Sequence, residues 1–333
     1  MIIGGDITSA LTSFAGLGLA LILEGDGAKR VRLGWTDEAA PRLEVNAEGY
    51  DDAAIAAAVH LHASGCIEEG SWVQADLGGL PWNGGNAVFS PRVKPASAPE
   101  QWSSLRRQRH KGIDREISRA EAIDLIGALG EPAYWRFADK DMKKPRPDEG
   151  ASRWEMKTRN RGEDFVANRL RHLAQIVSVR TPEGVGAGLN GQRPVDEAYK
   201  GKHSDDSRTA TGLTGPRFTD SALAWCALWG ISAFPVIHRL RQPSVTAGAV
   251  PVGRFTPERL VLPVLVGHFS LERWRALLVS QQLVVAGDPQ ERSARAWLIS
   301  HGARAVISFS LRVSDNSSAP ERYLRAGRVE VLA

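Results

Sequence analysis

The segment SALAWCALWGI, residues 221–231, has apolar side chains all the way around a helix of 3.6 residues per turn. A helix of this kind is stable only when protein surrounds it, so the segment predicts the centre of a folded core. Thr219 or Asp220, directly before it, supplies a side chain that caps a helix start. We expect its large side chains to pack in the core and not to form a stacking surface for bases: Trp225, Trp229, Leu223, Leu228 and Ile231.

Length and composition agree with a folded chain. The 333 residues are 43% hydrophobic and 24% charged, which excludes disordered, collagen-like and coiled-coil classes. The most apolar early run, residues 14–23, is too short to span a bilayer and no basic segment precedes it, so we expect neither a membrane span nor a signal peptide. Cys66 and Cys226 lie 160 positions apart and form no CxxC pair, which predicts a reducing, cytoplasmic setting.

Helices and short strands flank the core segment in irregular order. Periodicity predicts helices at 8–24 (capped by Asp6), 51–64, 99–117, 118–128, from Gly162 onward, 270–281 and 289–300. Strands are predicted at 29–35, 41–46, 132–137, 236–239, 245–252, 259–266, 304–313 and 323–332. Glycine, proline and charge indicate loops at 77–99, at 139–150 and over most of 182–218. The order predicts an α+β fold of irregularly mixed helices and short antiparallel strands, not a βαβ repeat.

Charge divides the chain more sharply than its net +4 indicates. Residues 1–91 hold four Lys and Arg against twelve Asp and Glu, whereas residues 92–180 hold twenty against thirteen. We therefore distinguish an acidic helix-hairpin-helix region (1–91), a basic, mainly helical region expected to bind nucleic acid (92–218) and an α+β C-terminal region (219–333). This asymmetry points to a polyanionic partner or to contact between the regions.

Motifs of common catalytic and cofactor sites are absent from the sequence. It contains no GxGxxG after a strand, no GxxxxGK[ST], GxSxG or HExxH and no EF-hand loop, so we predict no cofactor and no catalytic centre. His60 and His62 would point about 200° apart on a helix, and His62 with Cys66 alone does not make a zinc site. His203 beside Asp205 and Asp206 resembles a base next to carboxylates, but a hydrated loop is the alternative.

The basic segment SRWEMKTRNRGEDFVANRLRHL, residues 152–173, gives the strongest nucleic-acid signal. Guanidinium groups bind phosphates through two parallel hydrogen bonds, and a helix that starts at Gly162 would add free backbone N–H groups. The predicted phosphate-contacting residues are Arg153, Lys157, Arg159, Asn160, Arg161, Arg169 and Arg171. An apolar stripe on the same helix should pack inward: Val166, Leu170, Leu173 and Val177. The alternative is a solvated basic face that pairs with Glu155, Glu163 and Asp164.

Other basic groups and two loops complete the predicted binding surface. The basic groups are Arg106, Arg107, Arg109, His110 and Lys111, and then Lys140, Lys143, Lys144 and Arg146. Ser207, Arg208 and Thr209 begin the loop SRTATG, which suits phosphate or sugar contact, or else forms a turn or helix cap. In the loop at 80–92, Trp82 can stack while Asn83 and Asn86 can bond to base edges; a plain hairpin turn is the alternative.

Four strings in order carry a resemblance to a known family: GEPAYWR (130–136), SRWEMKTRNRGEDFVANRLR (152–171), SRTATGL (207–213) and ALAWCALWGISAFPV (222–236). Over about residues 80–280 the chain resembles CRISPR-associated proteins of type I-U (I-G) loci, in the Csb group. That family is treated as a large-subunit-like component of a Cascade complex. The chain is shorter than well-known large subunits and has no predicted C-terminal helical bundle, which implies a separate small subunit.

The resemblance implies a non-catalytic subunit that helps to bind guide RNA and target DNA. Its implied partners are the backbone and cap subunits of Cascade and a helicase-nuclease, with no membrane. In such complexes the guide reads the sequence while protein reads a short flanking motif, the PAM. The implied PAM-reading residues are Trp82, Asn83 and Asn86.

Two alternatives remain open at this point. One is a metal-independent ribonuclease that processes guide RNA with His110, His172 or His203. The other is a purely scaffolding subunit, whose basic surface pairs with the acidic region of its own chain or of a neighbour.

Overall fold

Residues 1–77, 87–93, 99–136, 146–156, 165–198, 204, 207–315 and 320–332 are described by the computed structural model. Their α-helices are α1 (Ala10–Gly25), α2 (Asp52–Gly65), α3 (Pro99–Glu116), α4 (Ala120–Leu129), α5 (Arg171–Ser178), α6 (Pro182–Leu189), α7 (Ser221–Trp229), α8 (Leu271–Leu278), α9 (Gln281–Val285) and α10 (Arg292–Ser300). Their strands are β1 (Lys29–Trp35), β2 (Leu43–Glu48), β3 (Val236–Arg239), β4 (Gln242–Thr246), β5 (Ala249–Val250), β6 (Arg259–Leu265), β7 (Ala303–Val313), β8 (Arg322–Leu324) and β9 (Arg328–Val331). Helices and short antiparallel strands thus form the expected α+β fold.

Two buried helices, α1 and α7, form the centre of the molecule. All nine residues of α7 are buried, as are fourteen of the sixteen residues of α1. The two helices cross closely because glycine stands at the contact: a Cβ at Gly18 would overlap with the carbonyl of Cys226, and one at Gly230 with the carbonyl of Phe14. The expectation for residues 221–231 is confirmed, and Asp220 is the N-cap, accepting from the Ala222 and Leu223 N–H groups.

A five-stranded antiparallel sheet contributes to the same hydrophobic core. β6 pairs with β7 from Arg259 opposite Ser310 to Leu265 opposite Ala303, and β5 extends the β6 edge. The other edge of β7 pairs with β9 and then with β8. The β1–β2 hairpin is joined to the sheet side, since Leu33 and Phe269 exchange backbone hydrogen bonds of 2.9 and 3.0 Å.

The three regions that charge distinguishes share one hydrophobic core. That core includes residues from Met1 and Ile3 through to Leu332. Residues of α1, in the acidic region, pack directly against α7, in the C-terminal region. No described helix is long and apolar enough to cross a membrane.

Most predicted elements are confirmed, but several differ. The single strands predicted at 245–252 and 323–332 are each divided, the first between β4 and β5 and the second between β8 and β9. α1 begins after Ser9, not Asp6, because the Ser9 side chain accepts from the Thr12 N–H. Residues 132–136 form no strand: Pro132 and Ala133 accept turn hydrogen bonds from Tyr134 and Arg136. The predicted loop after residue 182 instead starts with α6, whose glycines allow close packing: a Cβ at Gly188 would lie 2.5 Å from the Asp220 carboxylate oxygens.

Candidate nucleic-acid interface

Helix α3 has a buried face and a basic exposed face. Trp102, Leu105 and Arg109 point inward, where Trp102 packs near Tyr134 with ring centroids 6.1 Å apart. Arg106, Arg107, His110 and Lys111 are exposed, because residues three or four apart share one side of a helix. The helix therefore separates a structural arginine from three exposed cations.

Arg109 is a structural residue, and its prediction as an exposed phosphate contact is wrong. It is 1% exposed, and its guanidinium donates to the carbonyls of Val88 (2.8 Å) and Gly130 (3.2 Å). An ion pair of 2.8 Å with Glu131 compensates its charge. With its donors engaged inside the fold, Arg109 connects α3 to the segments on either side of it.

Arg153 and Arg169 are also buried, which corrects the expectation that they line a solvent face. The Arg153 guanidinium donates to the Glu149 and Ser244 carbonyls, and it lies 5.1 Å from the centre of the Phe255 ring. Burial, reinforced by Arg322, lowers the pKa of Arg153 to about 10. Arg169 likewise donates to the carbonyls of Glu155 (3.0 Å) and Thr211 (2.8 Å). Arg153 and Arg169 therefore connect strands and loops inside the fold and do not face a ligand.

Arg171 is mostly engaged within the chain. It donates to the Val73 carbonyl and forms a 2.9 Å ion pair with Asp76, which is exposed. The apolar stripe of this helix is confirmed, because Val166, Leu170, Leu173 and Val177 are all buried. The first turn, Val166–Leu170, is a π-helix that continues into α5.

Several predicted binding residues lie outside the described residues. They are Trp82, Asn83, Asn86, Lys140, Lys143, Lys144, Lys157, Arg159, Asn160 and Arg161, together with His203, Asp205 and Asp206. Their roles stay predictions. Of the charged loop 139–150, the described end is not an exposed loop: Pro147–Gly150 is a 3-10 turn whose Glu149 is buried and paired with Arg136 and Arg146.

The loop that starts at Ser207 is organised by its own hydroxyls. The Thr209 Oγ1 accepts from the Gly212 N–H at 2.6 Å, and the Ser207 Oγ lies 3.0 Å from the Ser204 Oγ. This is the turn that the sequence left open as an alternative. Arg208 is exposed beside it, and its contact with a phosphate stays a prediction.

Histidine and cysteine side chains occupy separate environments. The His60 Nε2 lies 3.1 Å from the Ser178 carbonyl, whereas His62 packs on Trp229 with ring centroids 4.3 Å apart. Burial, with a smaller contribution from Arg119, lowers the pKa of His62 to about 3, and burial raises the pKa of Cys66 to about 12. Over the described ranges, no three His, Cys, Asp or Glu side chains are grouped as a metal would need. His110 and His172 are exposed.

Of the predicted binding residues, those on the exposed face of α3 are exposed in the structure as well. Arg106, Arg107 and Lys111 form no ion pair with any described residue, unlike Arg109 on the same helix. Sequence reasoning missed the internal acceptors of the buried arginines, because most are backbone carbonyls far away in the chain. No protein-family model matches the chain, and no curated protein matches it.

Proposed function

We propose that the chain is a non-catalytic, nucleic-acid-binding subunit of a type I CRISPR Cascade complex in the cytoplasm. The observation that carries the proposal is the exposed face of α3, where three permanent cations have no carboxylate partner among the described residues. Unpaired cations on an exposed helix face bind phosphates whatever the base sequence. The four strings of the family resemblance supply the biological setting.

In this proposal the α3 face holds a nucleic-acid backbone while other parts of the chain add specificity. Trp82, Asn83 and Asn86 read the PAM, and Arg159 and Arg161 add further phosphate contacts. The acidic residues 1–91 face a basic neighbouring subunit. Guide RNA, target DNA, the other Cascade subunits and a recruited helicase-nuclease are the proposed partners.

A salt titration of the double variant Arg106→Ala/Arg107→Ala tests the proposal. Each lost phosphate contact removes about 0.9 counterion for duplex DNA or about 0.7 for a single strand. The slope of log K against log salt should therefore flatten by about 1.4–1.8 units, with base preference unchanged. Arg304→Ala/Arg328→Ala is the matched control, since it removes two exposed arginines from strand residues and should leave the slope near that of the wild type.

The same experiment separates the proposal from the scaffolding alternative. A folded α3 variant with the wild-type slope, both alone and in the assembled complex, would show that this face binds protein instead. The ribonuclease alternative has one specific observation in its favour, because His110 lies on the same exposed face as Arg106 and Lys111. Cleavage of repeat RNA in EDTA that His110→Ala abolishes would replace the non-catalytic assignment.

A further inference from the structure

A cavity of about 320 Å³ opens where α1 begins. Thr8, Ser9 and Ala10 form one wall, a loop from Leu213 to Arg217 forms another, and residues 323–326 complete it. None of the described residues that line it is acidic. Asp6 lies two positions before Thr8 in the chain, and its Oδ1 accepts from the N–H and hydroxyl of Thr8 at 2.7 and 2.6 Å.

The start of α1 brings one unpaired backbone donor to the lining of this cavity, the N–H of Ala10. Ser9 caps the Thr12 N–H, while the N–H groups of Ala10 and Leu11 find no acceptor among the described residues. A helix start carries partial positive charge, and α1 is sixteen residues long with no acidic side chain in its first turn. The position is therefore electropositive but is not by itself a binding site.

Two arginines add charge at the same place. Arg217 and Arg325 line the cavity and are exposed, and neither forms an ion pair with a described residue. The Arg217 guanidinium donates to the Ser9 Oγ at 3.3 Å, which holds it beside the helix start. Their guanidinium groups therefore have donors left for an anion.

Two mostly buried side chains that carry hydroxyl groups point to a ligand independently of the charges. Thr214 and Tyr323 are 6% and 4% exposed, and both line the cavity. Neither hydroxyl has a hydrogen-bond partner among the described residues. Neither oxygen is among the buried side-chain atoms without a partner, so both hydroxyl groups are open to the cavity and can bond to a group that enters it.

We propose that this cavity binds a phosphate group. Two guanidinium groups, two hydroxyls and the Ala10 backbone N–H are all available to donate, which matches the several acceptor oxygens of a phosphate and disfavours a cation. The cavity has room for the phosphate and the sugar attached to it, so the source is a nucleic-acid strand or a free nucleotide. No residue of α3 lines the cavity, so this inference does not depend on the proposed function.

Calorimetric titration of the full-length protein with inorganic phosphate and pyrophosphate tests the proposal. The wild type should bind, Arg325→Ala and Arg217→Ala should each weaken binding at least tenfold, and Tyr323→Phe and Thr214→Val about fivefold. Arg328→Ala is the matched control, because it removes an exposed arginine three positions further along and outside the cavity. Melting temperatures near that of the wild type show that the variants fold; Tyr323→Phe and Thr214→Val keep the shape of the cavity.

Competition then identifies the source of the phosphate. Displacement of pyrophosphate by a ten-nucleotide strand, but not by a nucleoside monophosphate at equal phosphate concentration, assigns a strand; the reverse order assigns a nucleotide. Failure of wild-type protein to bind phosphate or pyrophosphate, or equal binding by the wild type and the folded Arg217→Ala and Arg325→Ala variants, would overturn the proposal. Because the α3 variants keep this cavity, loss of their strand binding alone would not affect it.

Discussion

Arg109 and Arg106 belong to the same helix, yet only Arg109 has its charge compensated inside the fold. Replacing Arg109 by Met should lower the free energy of unfolding by about 1–3 kcal/mol, because the Val88 and Gly130 carbonyls lose their donors. The same change at exposed Arg106 should cost less than about 0.5 kcal/mol. Urea unfolding of both variants measures the difference. Equal stabilities would mean that the buried guanidinium contributes nothing to the fold.

The side chain of Glu24, near the end of α1, gives a pH-dependent prediction. Burial raises its pKa from 4.5 to about 7, the Glu272 carboxylate adds to the shift and Arg275 opposes it. The folded protein therefore holds a proton that the unfolded chain releases, so this stabilising contribution is present at low pH and is lost as pH rises from 4.5 to about 7.

Replacing Glu24 by Gln should remove that dependence. The melting temperature of Glu24→Gln relative to the wild type should increase between pH 5 and pH 7 and then level off, because the amide never ionises. Scanning calorimetry in buffers of constant ionic strength measures it. A difference between the two proteins that stays constant over this range would show that Glu24 ionises normally in the fold.

The sequence was sufficient to predict which residue types form the binding surface. It was not sufficient to predict whether each side chain points to solvent or into the fold. Arg153 and Arg169 have the spacing of a cationic cluster, and nothing local reveals that the Ser244 and Thr211 carbonyls will accept from them. Arg106 and Arg107 differ from Arg109 only through helix periodicity. That periodicity becomes informative once Trp102 and Leu105 are recognised as the buried side.

At the scale of elements, glycine decides how closely helices approach. Gly18 in α1 should not accept a Cβ, since it would overlap with the Cys226 carbonyl of α7. Gly18→Ala should destabilise the protein by about 3 kcal/mol despite the better helix propensity of alanine. Gly127→Ala in α4 is the control: no atom lies within 4 Å of its added Cβ, so it should stabilise by about 0.5–1 kcal/mol.

Thermal melts of the two glycine variants should therefore move in opposite directions. A stabilised Gly18→Ala would mean that α1 and α7 are further apart than in the structure.

Helix α6 is an element that the sequence patterns did not predict. Four of the residues in and beside α6 are glycines, a composition typical of loops, but Thr181 caps the helix and Pro182 starts it.

At the scale of the whole molecule, the burial of α7 could be predicted from the sequence. Which elements pack against α7 could not. Residues 221–231 are apolar on all sides, which predicts burial without favouring one contact face. α1 is equally apolar, so periodicity did not indicate that it would be the covering helix. Only the folded chain shows that an acidic N-terminal region contributes the helix at the centre of the C-terminal region.

Trp225, completely buried in α7, tests whether this core holds the entire chain together. It packs on Trp229 and His62 with ring centroids 5.7 and 5.5 Å apart, and its replacement by Ala should cost about 3–5 kcal/mol. Trp225→Phe keeps an aromatic ring and should cost less. Because one core includes residues from Met1 to Leu332, the loss of stability should extend to elements that Trp225 does not contact.

Hydrogen exchange measures how far the destabilisation extends from α7. In Trp225→Ala, protection of the amides in the β1–β2 hairpin and in the β6–β7 pair should fall together with that of α7, since α1 connects the hairpin to the same core that supports the sheet. Trp225→Phe should lower all three by a smaller, common amount. Unchanged protection in β6–β7 would mean that the sheet unfolds as a unit of its own, and an unchanged melting temperature would mean that Trp225 is not a core residue.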